Sequence, residues 1–293
     1  MTTPQKITIY HSPDADDAFM FHGLVSGAIS EPGFIFDHAL SDIETLNRRA
    51  RKGELDVTAV SVHAYAYLAD EYAILSCGAS MGGEHYGPRI VAKSQIDFTE
   101  YAKAQKTLTV GIPGELTSAT LATKLFFKEK NVPVELKTIY FESIGEAVLA
   151  GEVDVGVLIH EGQLTYQQDG LTMLQDLGSW WWQKTALPLP LGVNVVKKSL
   201  GPIAIAATAR ALKASIEYSL AQRNEALTYA LSYGRGLSVG DADTFVGMYV
   251  NEITVDMGDA GRKSIALFLA EGAKHGFVPT QFDKVESRGI QFI

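Results

Sequence analysis

The pentapeptide G-E-[LV]-D-V occurs twice in this chain, at Gly53–Val57 and again at Gly151–Val155. Each copy follows a helical pattern that opens on a hydroxyl and a carboxylate at capping-box spacing, Ser41-Asp42-Ile43-Glu44 and Ser143-Ile144-Gly145-Glu146. Such pairs satisfy the orphan amides of a first helical turn. Each copy then runs into a short apolar stretch of strand length, Val57–Val60 and Val155–Ile159. Helix, glycine turn and buried strand, used twice, describe a chain that builds two α/β units on one plan.

Further alternation fills in that plan. Lys6–Tyr10, Leu108–Ile112 and Thr138–Phe141 read as strands; Asp17–Gly27 and the stretch from Thr117 to Lys130 read as helices. Beyond Pro202 the pattern is helical, with segments Ile203–Leu220, Asn224–Tyr233, Asp241–Ile253 and Asp259–His275. Strands alternating with helices predict mostly parallel sheets covered on both faces. A length of 293 residues suits two compact lobes. Crossings near residue 105 and at the stiff Leu187-Pro188-Leu189-Pro190-Leu191 would make 108–190 an inserted lobe. The first lobe would then combine 1–107 with 191–293.

Charge narrows the partners. The net charge is −9 and no basic run occurs, which argues against nucleic acid and against an anionic membrane surface. A small anion would need local devices such as helix N-termini to overcome that field. The only cysteine is Cys77, so no internal disulfide forms. No run of about 18 apolar residues appears. The lead from Met1 to Lys6 is short and polar, without the pattern of a signal peptide, and the expected compartment is the cytoplasm.

In open α/β sheets ligands bind beyond the carboxyl ends of the strands. Four loops meet that rule: Ser12-Pro13-Asp14-Ala15-Asp16-Asp17, Ser61-Val62-His63-Ala64-Tyr65, Gly114–Thr120 and His160-Glu161. Two come from each lobe, so one cleft could collect them all. His160 ends an apolar strand, where it is either a general base or a histidine that merely closes the strand; position alone does not separate the two. His63 follows a strand end in the same way. Thr117 and Ser118 open a helix, where hydroxyls and free amides hold an anion or simply cap. Asp14, Asp16 and Asp17 also begin a helix, but lack glycine and glutamate at calcium-loop spacing, so no metal is expected. Gly87, in a glycine-rich loop, could let backbone approach a ligand. Trp181, in a run of three tryptophans, is either cleft wall or packing. The dinucleotide, phosphate-loop, serine-hydrolase and zincin signatures are all absent.

Taken in order, these loops resemble the 1,4-dihydroxy-6-naphthoate synthases of the futalosine route to menaquinone. The likeness runs from about Ile7 to at least Phe268. It rests on S-P-x-x-x-D at Ser12–Asp17, D-[IV]-E-T-L-N at Asp42–Asn47, A-Y-A at Ala64–Ala66, G-P at Gly87–Pro88, T-S-A-T at Thr117–Thr120 and [IL]-I-H-E at Leu158–Glu161. The longest match is LGSWWWQKTALPLPLG, Leu177–Gly192. The resemblance implies a two-lobed periplasmic-binding-protein-like type II fold with the ligand between the lobes. It also implies a carbon–carbon lyase acting on cyclic dehypoxanthine futalosine without a cofactor. By the same match His160 is the base, Thr117 and Ser118 hold the substrate carboxylate, and Ser12 with the Asp17 region meets the sugar-derived half. A homodimer is carried by analogy alone. One loop departs from the family: S-P-C-P-N-D is usual, and here it reads S-P-D-A-D-D. An ionised carboxylate only accepts hydrogen bonds where an amide also donates; the pocket is therefore expected to favour more donors on the ligand or to keep Asp16 protonated. Three other classes use the same features: a solute-binding protein, a related lyase or dehydratase such as a chorismate dehydratase, and a ligand-sensing regulator.

Overall fold

A computed structural model describes residues 3–233, 238–283 and 289–293; Met1 and Thr2 of the polar lead lie outside them. Eleven strands form among these residues: β1 Gln5–His11, β2 Phe34–Leu40, β3 Val57–Ser61, β4 Tyr72–Ile74, β5 Ser80–Gly82, β6 Arg89–Ala92, β7 Leu108–Ile112, β8 Val134–Thr138, β9 Val155–Leu158, β10 Thr172–Asp176 and β11 Leu189–Lys197. They sort into two sheets. The first has the order β2-β1-β3-β11-β4 with β5 also on β11, and the second β10-β6-β9-β7-β8. The repeated pentapeptide leads into equivalent places, since β3 and β9 each lie parallel to the leading strand of their sheet, β1 and β7.

The sheets are mixed, each with one strand that runs against otherwise parallel strands. β6 runs against β9 and β10, and β11 runs against β3, β4 and β5. A parallel neighbour needs a crossover connection of a dozen or more residues; β6 and β11 enter their sheets straight from the other lobe and so arrive antiparallel. The first change of sheet therefore falls between Gly82 and Arg89, ahead of the expected crossing near residue 105. The second falls between Thr185 and Leu189, close to the expected Pro-rich stretch.

Local chemistry accounts for most of the differences from expectation. Asp42, not Ser41, caps the helix Ile43–Ala50 by accepting from Thr45 N. Ser143 makes no side-chain cap and sits in a 3-10 turn, Phe141–Ser143, so the strand expected there lies earlier as β8. The late helices are Pro202–Ala221, Arg223–Leu231, Val239–Tyr249, Glu252–Val255 and Gly258–Lys274. The expected helix over Asp241–Ile253 breaks at Asn251, whose side chain and Thr254 form a capping box for the short helix that follows. No helix among the described residues is long and apolar enough to cross a membrane.

The crossings are where the lobes are joined most tightly. A Cβ added to Gly178 would lie 2.1 Å from Tyr86 O, and one on Gly87 2.5 Å from Gly178 N. Leu177 N donates to Pro88 O at 2.9 Å, and Arg89 Nε stands 3.5 Å from Asp176 Oδ2 in a largely buried ion pair. Gly87 is thus a backbone-packing position and does not itself line the cavity. Trp181 is fully buried, packed edge-on to Phe268 and donating from Nε1 to Ser264 Oγ at 3.1 Å. It belongs to the apolar core shared by both sheets and does not line the cleft.

Two predictions follow from this packing. Gly178→Ala must push Tyr86 and its segment away, and should cost about 2–4 kcal/mol in chemical denaturation. His11 is buried, stacked on Phe21 at 4.4 Å, with Nδ1 2.8 Å from Ser12 O; burial pushes its pKa down to about 4. The folded state holds this ring neutral, so its contribution is present above pH 6.5 and lost as acid reaches 4, up to about 3 kcal/mol. Thermal unfolding by circular dichroism should show wild type losing stability relative to His11→Gln across that window; parallel curves would refute it.

Candidate active site

The carboxyl ends of β1, β3, β9 and the N-terminus of the helix Ser118–Lys130 converge on one cavity of about 780 Å³, mouth included. Ser12, Asp14, Asp16, Asp17, Ser61, Thr117, Ser118 and His160 line it. Three residues expected in the site stand behind it. His63 is buried, its Nδ1 3.1 Å from Thr117 O and its backbone N–H donating to Ser118 Oγ at 3.2 Å. Glu161 is buried beside His160, and Gly87 lies on the crossing.

His160 owes its position to backbone geometry. It has φ +66, in the left-handed region where a side chain costs on the order of 1 kcal/mol. This kink ends the β9 stretch and turns the ring into the cleft, where Phe141 packs edge-on at 4.8 Å. Nε2 is buried and has no hydrogen-bond partner among the described residues. Nδ1 has two neighbours of opposite character. Gly162 N–H points at it from 3.2 Å, and Glu161 Oε2 lies 3.5 Å away. The first partner favours the tautomer with the proton on Nε2; the second favours the proton on Nδ1, which leaves Nε2 free to act as a base.

Opposite this ring, the Thr117 and Ser118 hydroxyls are already engaged. Thr117 Oγ1 donates to Gly114 O at 3.0 Å and caps Thr120 N at 3.3 Å. Ser118 Oγ donates to Leu191 O at 2.6 Å. What this helix N-terminus offers a ligand is therefore the unpaired amides of its first turn and the positive end of its dipole.

The other wall is acidic. Ser12 N donates to Asp17 Oδ2 at 2.9 Å, Ser12 Oγ to Asp14 Oδ2 at 2.9 Å, and Ser80 Oγ to Asp16 Oδ2 at 3.1 Å. Burial, with the Asp17, Asp14 and Glu161 charges, raises the Asp16 pKa well above the usual carboxylate range. Burial and Asp14 raise Asp17 to about 7, against the bond from Ser12 N. Both shifts favour the protonated form of this pair. The cavity lining thus combines first-turn amides and a helix dipole with a cluster of carboxyls.

Sequence reasoning missed four polar residues of the lining: Ser80, Gln163, Asn194 and Tyr249. Asn194 was detectable as the one amide in the apolar run Gly192–Val196. It is buried, its Nδ2 donates to Gly78 O at 2.9 Å, and its Oδ1 has no partner among the described residues. Gln163 and Tyr249 carry no local signal, since only folding brings their distant segments together.

Comparison with known proteins shows the family. A family model described as "Menaquinone biosynthesis" matches residues 7–274. A 1,4-dihydroxy-6-naphthoate synthase of Thermus thermophilus is 36% identical, with 93% of this chain and 96% of that protein covered. One from Streptomyces coelicolor is 34% identical over 93% and 95%. A crystal structure of an Archaeoglobus fulgidus protein is 40% identical with a TM-score of 0.86, covering 93% of this chain and 98% of the other. The alkanesulfonate-binding protein of Xanthomonas axonopodis, 11% identical with a TM-score of 0.67 and full coverage of both chains, shares the fold, which is that of the periplasmic binding proteins with two lobes. On the length and identity of these matches, the chain belongs to the menaquinone-biosynthesis family of 1,4-dihydroxy-6-naphthoate synthases, which are lyases.

Proposed function

We propose that this enzyme cleaves cyclic dehypoxanthine futalosine to 1,4-dihydroxy-6-naphthoate, with His160 as the general base. The observation that carries the reading is the unpartnered Nε2 of His160, buried on the cavity wall with a carboxylate 3.5 Å from the other ring nitrogen. A nucleophile or base oriented by a third group is the usual architecture of proton abstraction. In this reading the substrate carboxylate sits on the first-turn amides of the helix Ser118–Lys130. Its hydroxyl-bearing half lies against Asp14, Asp16, Asp17 and Ser12. Nε2 then takes a carbon-bound proton, and Glu161 stabilises the imidazolium through Nδ1–H. Asp16 keeps its proton and donates to the ligand, as an amide in that position would. The cleft walls exclude water from the reacting atoms.

A second reading, a binder that closes without chemistry, has one observation in its favour. The Gly162 N–H on Nδ1 selects the tautomer in which Nε2 is a donor.

Purified protein with cyclic dehypoxanthine futalosine separates the two. His160→Ala should lower product formation at least about 100-fold while the compound still raises the melting temperature. Stabilisation of wild type with no product would favour the binder. Activity within a few-fold in His160→Ala would remove His160 as base.

The acidic wall makes its own prediction. A carboxyl whose folded pKa exceeds its unfolded value costs stability as pH rises through the folded value; for Asp17 that is about 7. Asp16→Asn removes one partner of the pair. It should be more stable than wild type by about 1–2 kcal/mol at pH 8, with the gain shrinking towards pH 5. Denaturant titrations at the two pH values check the sign, and an equal gain at both would show that the pair holds no proton.

A further inference from the structure

We propose that Gln163 is a positioning residue for the reaction: it clamps His160 in its left-handed conformation and latches it to Tyr249 of the first lobe, so that the base is placed only when the cleft is closed. The inference rests on the reading of His160 as the base.

The clamp has four parts. Gln163 N donates to His160 O at 3.0 Å. One orientation of the Gln163 amide satisfies both of its ends: Oε1 then accepts from His160 N at 3.2 Å, and Nε2 donates to Gly87 O at 2.7 Å and to Tyr249 Oη at 2.8 Å. Both backbone groups of the kinked residue are therefore held by one side chain and its own amide. Without them, φ +66 at a non-glycine residue would relax. Finally, Gln163 O accepts from Arg89 Nη1, the same guanidinium that pairs with Asp176 at the crossing.

The partners come from different parts of the chain. His160 and Gln163 follow β9 of the second sheet, Gly87 lies on the first crossing, and Tyr249 ends the helix Val239–Tyr249, which packs on the first lobe. Gln163 and Tyr249 are both buried. Burial holds the Tyr249 hydroxyl above its ordinary pKa, so it keeps its proton across the working range. Separating the lobes on this side must break the Gln163–Tyr249 hydrogen bond, a loss that opposes opening.

The test uses the full-length enzyme with Gln163→Leu, Tyr249→Phe, the double variant and His160→Ala. Steady-state kinetics is paired with NMR measurement of hydrogen exchange at the His160 amide. In Gln163→Leu kcat should fall about 10- to 100-fold with KM within about three-fold, and the amide should exchange at least ten-fold faster. Tyr249→Phe should lower kcat about three- to ten-fold. The double variant should be no slower than Gln163→Leu, because both substitutions break one unit. Multiplicative losses, or kcat within two-fold of wild type in Tyr249→Phe, would overturn the latch. Tyr249→Phe removes one hydroxyl and no ring, so it decides alone if Gln163→Leu fails to fold. Activity retained in His160→Ala would sink the base assignment instead, and the exchange rates would still report whether Gln163 holds that amide.

Discussion

The two passages of chain between the sheets lie against each other with no side chain between them, and the rest of the architecture depends on that contact. Gly87 and Gly178 have no room for a Cβ, and the neighbouring Arg89–Asp176 pair is largely out of water. Breaking a buried pair by removing one partner costs on the order of 3–5 kcal/mol. β6 and β11 leave this junction in opposite senses, which is why both run antiparallel within otherwise parallel neighbourhoods. The carboxyl ends of β1, β3 and β9 consequently face one another, and the cavity lies where they meet.

Electrostatics then distinguishes two parts of that cavity lining. A chain of net charge −9 attracts no anion at long range, so recognition must come from fixed dipoles at short range. The helix Ser118–Lys130 supplies them through amides, because its two hydroxyls are spent inside the protein. In the carboxyl cluster three aspartates would repel a negative group, but they suit hydroxyls, and the raised pKa of Asp16 and Asp17 relieves part of their mutual repulsion. His160 shares this lining, and its ring has a neighbour for either tautomer. In the proposed role, a base that is neutral before the reaction and charged after it would benefit from having both within reach.

Much of this was legible in the residues. The repeated pentapeptide, the apolar runs and the glycine turns identified two α/β units, because a strand or a helix turn is chosen by neighbours a few positions away. The rule for strand carboxyl ends selected four loops, and Ser12, Asp14, Asp16, Asp17, Ser61, Thr117, Ser118 and His160 do line the cavity. His63 and Glu161 came from the same loops but stand behind the lining, and Gly87 and Trp181, singled out from a glycine-rich loop and a tryptophan run, lie at the crossing and in the core. Trp181 shows the reason: an indole fits a cleft wall or a core equally well, and the choice was made by Phe268 and Ser264, more than eighty residues away in sequence.

By itself the sequence determined the alternation of strands and helices, the type of fold and the family, since each follows from local pattern or from the order of short motifs. The tertiary structure decided which hydroxyls remain available and which carboxyls have their pKa raised by burial. It also decided the point at which the chain changes sheet and the distant amide that holds the His160 backbone. These are properties of burial and of contacts such as Gln163 with Tyr249, 86 positions apart. Low-dielectric surroundings and long-range hydrogen bonds exist only once the lobes have packed, and no window along the chain contains them.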